Sequence, residues 1–241
     1  MKNYSILAAY KRQYIDKYKD QPEPVIAESS YGDSIEMDIY LPYKDKFEPF
    51  RVKYSNTDCM ELLYMDETAE YTYKAYYKES QKVQEVNLYN LLACASNLML
   101  RHKTAERFES AYKELTPEKF KEIHVENYDE VIAMRYCKEG YNPQAINDCY
   151  RLLSFCESNY FGKETWRTEV DSYAAKHVFE ELLSKLSSTT YVHTSEFTAA
   201  AVMFYSYILK LDKLNLKADP PNWEMSLPDY YEVLSYIRGL R

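Results

Sequence analysis

Four glycines in 241 residues, Gly32, Gly140, Gly162 and Gly239, constrain this chain more than any other feature. An average protein has a glycine fraction of about 7%. Glycine supplies the positive φ of tight turns and lets backbone approach a phosphate closely. A chain almost without it builds few short turns. It also has no material for a P-loop, a dinucleotide fingerprint, a kinase phosphate loop or a serine-hydrolase elbow. Between Gly32 and Gly140 there is no glycine, and between Pro49 and Pro117 no proline. Long uninterrupted helices are expected there.

Composition places the chain among folded proteins, with 46% hydrophobic and 28% charged residues. Thirty Lys and Arg against 38 Asp and Glu leave a net charge of −8. An acidic surface repels a phosphate backbone, so nucleic acid is not an expected partner. The densest basic stretch is Arg101-His102-Lys103, which with Arg107 forms a local patch at most. Five cysteines occur without a C-x-x-C pair, which reads as reduced thiols in a cytoplasmic, reducing compartment. No apolar leader stands at the N-terminus, and no apolar run is long enough to span a bilayer, so no membrane partner is expected.

Along the chain, Ile6, Leu7, Tyr10, Tyr14, Ile15 and Tyr18 recur at helical spacing over 3–19, and Pro22 and Pro24 stop that helix. Ser29 to Asp33 reads as a turn. Ile35, Met37, Ile39 and Leu41 then alternate with Glu36, Asp38 and Tyr40, and Phe50 to Tyr54 alternates again. These runs predict one antiparallel hairpin with a loop of about eight residues, ended on one side by Pro42. Asn56-Thr57-Asp58 reads as a helix start, and the chain reads helical from Asp66 to about Leu115. Its central part, Val86 to Met99, is apolar on more than one face, as in a central helix. Thr116-Pro117 and Asn142-Pro143 are further helix starts. Helices are also expected over 129–138, 164–186 and 195–214, with a last one after Leu227-Pro228-Asp229. The expected fold is mainly α: a single domain over 1–241, like a helical bundle of about eight to ten helices with one N-terminal β-hairpin. Residues 1–58 hold the first helix and the hairpin, and 59–241 the helical region. The expected core includes Leu88, Leu91, Leu92, Leu98, Val178, Leu182, Val202, Phe204 and Leu209.

Catalytic chemistry finds little support. The histidines, His102, His124, His177 and His193, form no H-x-x-x-H pair. His102 with Glu106, and His177 with Glu180, share helical faces, but two ligands fall short of the about four of a closed metal site. Cys137 is flanked by Arg135 and Lys138, the one cysteine in a cationic setting of the kind that can activate a thiol, and an inert structural thiol is the expectation there too. Glu36 and Asp38 share a strand face without a partner acid on the next run. No catalytic residue, metal or cofactor is assigned.

Tyrosine, at 27 residues, is the other anomaly. It offers large contact area with a polar tip, which suits an interface as well as a core. Read as a helix, the segment 64–77 places Tyr73, Tyr76 and Tyr77 together, with Glu70 one turn before. This surface is the expected partner-binding site, its acidic rim matching a basic protein. The function expected is therefore non-enzymatic protein binding. Two forms fit: an inhibitor of immunity or anti-defence type, or a subunit of a larger assembly of phage or mobile-element origin. The alternative is a metal-dependent helical enzyme whose site draws on His102, Glu106, His177 and Glu180.

Overall fold

The computed structural model describes residues 2–29, 32–55, 59–66, 74–78, 87–125, 128–129, 131, 141–160, 167–205 and 224–239. They group into two compact units, 1–103 and 104–241.

The first unit begins with α1 (Lys2–Lys17), followed by β1 (Val25–Glu28), β2 (Ser34–Tyr43), β3 (Lys46–Ser55), β4 (Cys59–Tyr64) and β5 (Lys74–Lys78). The strands form one antiparallel sheet in the order β1-β2-β3-β4-β5. Alternation sends Met37, Ile39 and Leu41 of β2, Phe50, Val52 and Tyr54 of β3, and Met60, Leu62 and Tyr64 of β4 to one buried face. Each such side chain contributes about 1.5–3 kcal/mol on burial. A one-residue slip would bring Glu36, Asp38, Arg51, Lys53 and Glu61 to that face, so the pattern holds the register. Ile6, Leu7, Tyr10 and Tyr14 form the buried stripe of α1, and Leu88, Leu91, Ala95, Leu98 and Met99 that of α2 (Leu88–Lys113). The side-chain oxygen of Gln13 ties the two helices by accepting from the Leu88 N–H at 2.8 Å.

The second unit takes the end of α2 from Thr104, then α3 (Pro117–Glu122), α4 (Pro143–Asn159), β6 (Arg167–Asp171), α5 (Ser172–Leu186), α6 (Thr194–Met203), β7 (Glu224–Pro228) and α7 (Tyr230–Gly239). Local chemistry sets the helix starts. Thr116 Oγ1 accepts from the Lys119 N–H, Asn142 Oδ1 from the Gln144 N–H, and Asp171 Oδ1 from the Ala174 N–H. Phe108 packs against Phe155, Tyr160 and Tyr230. The unit also buries Cys149, Leu152 and Cys156 of α4, Val178, Phe179 and Leu182 of α5, and nearly the whole of α6. The Tyr205 and Tyr230 hydroxyls bond to each other at zero exposure. Burial pushes both phenol pKa values well up.

The expectation of a single helical bundle of eight to ten helices with one hairpin does not hold. The described residues form seven helices and two antiparallel sheets, one of five strands and one of two. The helix start at 56–58 and the helix from Asp66 are overturned where residues are described, since 59–64 and 74–78 are strands. Their sequences carry helix formers, but pairing to β3 and β4 decides their conformation. The hairpin loop is Lys44-Asp45, with Lys44 at φ 54, so a lysine takes the place of the glycine the chain lacks. Pro42 and Pro49 lie inside the strands. Pro42 occupies a stretch where β2 extends past β1, so its missing N–H costs no ladder bond, and Pro49 stands at the end of the β3–β4 pairing, where its carbonyl accepts from the Met65 N–H at 3.0 Å. The start of the helix expected over 164–186 is strand β6, with α5 beginning at Ser172. The last helix is preceded by strand β7. α2 is not apolar all round: Tyr89 and Leu100 are exposed and Leu92 is half-buried. The other core expectations hold at Leu88, Leu91, Leu98, Val178, Leu182, Val202 and Phe204, while Leu209 lies outside the described residues. So does most of the expected helix over 129–138.

Candidate functional site

The tyrosine surface rests on a helical premise that the backbone does not share. Positions 76 and 77 belong to β5 and pair with Glu61 and Met60 of β4, so the helical spacing behind the expected surface does not apply over 74–78. Tyr73 and Glu70 lie outside the described residues.

The candidate metal and acid-base groups have structural company. The His102 imidazole is buried, edge-on to the Tyr64 ring at 4.7 Å between centroids, with Nε2 3.5 Å from Asp66 Oδ2. Glu106 lies one turn further along α2. The His102–Asp66 pair supplies two of the about four ligands of a closed metal site. His177 Nδ1 lies 3.2 Å from Glu180 Oε2, and the same oxygen receives Lys176 Nζ at 3.0 Å. The nearly buried Lys176 ammonium also sits 4.8 Å from the Tyr191 ring centre and 5.4 Å from that of Tyr173. Glu180 thus closes a packed cation cluster. Arg101, Lys103 and Arg107 each engage other groups. Burial raises the Cys94 thiol pKa and lifts those of Cys149 and Cys156 well above the ordinary value, which makes them poor nucleophiles. Cys137 lies outside the described residues. On the outer sheet face Arg51 binds both oxygens of Asp38, at 2.7 and 3.0 Å, and lies 3.4 Å from Glu36. Those strand acids are engaged in a cross-strand ion pair.

A polar cleft of about 370 Å³ in the second unit is lined by Asn142, Gln144, Thr189, Tyr191, His193 and Glu196, among others. Its buried carboxylate, Glu196, is committed to the backbone. The Asn142 N–H donates to Oε1 at 2.6 Å and the His193 N–H to Oε2 at 2.7 Å. This ties two helix starts together.

The first unit has an incomplete edge. Among the described residues β1 ends the sheet, and Val25 is 65% exposed. The Ser29 N–H donates to the Ser34 carbonyl at 3.0 Å, which sets the phase of the β1–β2 ladder. Antiparallel pairing alternates, so Val25 and Ala27 turn their backbone groups to β2, while Ile26 and Glu28 turn theirs away from the sheet. Ile26 pairs with Met37 and therefore belongs to the inner face, yet it is only half-buried. Beside it, between β1 and α1, runs a groove of about 390 Å³ lined by Tyr4, Ala8, Lys11, Arg12, Ile15, Asp16 and Ile26. Tyr4 and Ile15 are both exposed on α1. The inner layer is thus open where another strand would seal it. Lys11 is paired with Glu23 at 2.7 Å. Arg12 makes no ion pair or hydrogen bond with the described residues. The strand Val25-Ile26-Ala27-Glu28 is not among the elements expected from the sequence. Its signal was the Pro22-Glu23-Pro24 run, a common guard of an edge strand, followed directly by two β-branched residues and a turn.

No family model matches the chain, and neither the curated proteins nor the solved structures searched include a similar one. Function therefore rests on the residues. Among the described residues no helix is long and apolar enough to cross a membrane.

Proposed function

We propose that this protein is a non-enzymatic binding module that takes an extended segment of another protein as an added strand along β1. The open edge carries this reading: outward-facing backbone groups at Ile26 and Glu28 beside a groove on the inner face. Strand addition draws affinity from main-chain hydrogen bonds and specificity from pockets for alternate side chains, and this edge offers both. Nothing in the reading needs a metal or a nucleophile. An inhibitor covering its target and a subunit joining its neighbour use such an edge equally well. A mass measurement of the complex separates the two, since a subunit accumulates in multiples.

Glu28→Pro tests the reading. It removes an N–H that faces away from β2, so the ladder keeps its bonds while the edge loses a donor. Proteins captured by the wild-type chain should be lost with Glu28→Pro and kept with Lys53→Gln on the opposite face, both variants melting within a few degrees of wild type. Capture of the same proteins by all three chains refutes the reading.

A further inference from the structure

The groove that would receive alternate side chains of an added strand is less acidic than the chain as a whole. The chain carries −8, whereas at the groove the cations Lys11 and Arg12 are matched by the carboxylates of Asp16 and Glu23. Lys11 is partly neutralised by Glu23, whereas the exposed Arg12 makes no ion pair with the described residues. The rest of the lining is apolar or aromatic: Tyr4, Ala8, Ile15 and Ile26.

Geometry limits what such a groove can take. A residue directly opposite Ile26 on an added strand stands on the same face as Ile26. It therefore enters the groove beside Ala8 and Ile15. On a guest running antiparallel to β1 the residue two positions further on stands on the same face opposite Pro24, about 6.6 Å away at the usual rise, and so clear of the Glu28 carboxylate that a parallel guest would meet. That distance is within reach of a flexible guanidinium on α1.

Resting on the strand-addition reading above, we infer that the guest is an extended acidic segment of another protein, with an apolar side chain in the groove and a carboxylate two residues away on Arg12. Arginine favours this role because its planar fork meets a carboxylate with two parallel hydrogen bonds. A second copy of this chain fits less well, since association would bring together two molecules of −8 each.

Three short threonine-rich peptides test this. Each has a central valine, followed two residues on by glutamate, glutamine or lysine. They are titrated into the whole protein while the backbone amide signals of Ile26 and Glu28 are followed by NMR. The glutamate peptide should bind several-fold more tightly than the glutamine peptide, and the lysine peptide most weakly. In Arg12→Glu the order should reverse, because Arg12 is exposed and its replacement leaves the core alone. If the peptides move the two amides but bind alike, the acidic guest is refuted and strand addition stands. If none moves them, strand addition itself falls. A dimer by light scattering, made monomeric by Glu28→Pro, would assign the edge to a second copy and overturn the inference.

Discussion

Replacing Asp148 tests how the second unit is held together. Its carboxylate is wholly buried on α4. Oδ2 accepts from the Thr189 hydroxyl at 2.7 Å, and Oδ1 accepts from the Gln144 amide at 2.8 Å and from Arg151 Nη1 at 3.4 Å. Thr189 belongs to the polar segment after α5, so this one side chain fastens that segment to α4. Asp148→Ala would leave a mostly buried guanidinium without its carboxylate, and a hydroxyl and an amide without an acceptor. Removing one partner of a buried ion pair costs about 3–5 kcal/mol. The separate hydrogen bonds share the same two oxygens, so their worth is already contained in that figure. Asp148→Asn keeps the shape and one acceptor oxygen, and Gln144 can turn its own amide to face the new NH2 group. The expected loss is about 1–2 kcal/mol, similar to that for Thr189→Val, which removes a single bond. Urea denaturation followed by circular dichroism measures all three, with an unchanged slope showing that the unfolded state is the same. A loss below about 1 kcal/mol for Asp148→Ala, or a larger loss for Asn than for Ala, would refute the reasoning.

Three further outcomes are expected. Phe108→Ala removes the ring shared by Phe155, Tyr160 and Tyr230 and should cost about 3–5 kcal/mol in the same assay; less than about 1 kcal/mol would place that cluster outside the core. Burial pushes the Tyr14 phenol up to about 12, and those of Tyr112, Tyr205 and Tyr230 higher. Above pH ~10 the unfolded chain loses these protons while the folded one keeps them, so stability is complete below pH ~10 and falls as the pH rises beyond it. Phenolate absorbance should accordingly show a late fraction that titrates only as the circular dichroism collapses, and a single titration of every tyrosine near pH 10 in the folded protein would contradict this. The Cys149 and Cys156 thiols are fully buried with raised pKa values, so a disulfide exchange reagent should modify them only at the rate of unfolding; rapid labelling of either in native buffer would show the pocket to be open.

The sequence by itself determined what short-range chemistry controls. Thr116-Pro117 and Asn142-Pro143 start helices because their caps bond within a few residues of chain. The alternation of β2 and β3 was legible because each strand has one wet face and one dry one over ten residues. Only the tertiary structure decided β4, β5, β6 and β7. These strands are five or six residues long, and some pair with distant partners, as Arg167 does with Pro228, so no local period distinguishes them from helix. The same holds for the candidate site. Arg12 and Ile26 are fourteen positions apart in sequence and meet only because α1 lies over the sheet that β1 ends. Asp148 and Thr189 meet only because α4 packs beside the segment after α5. Periodicity reports which face of an element is buried, whereas the partner buried against it is chosen by packing between segments far apart in the chain.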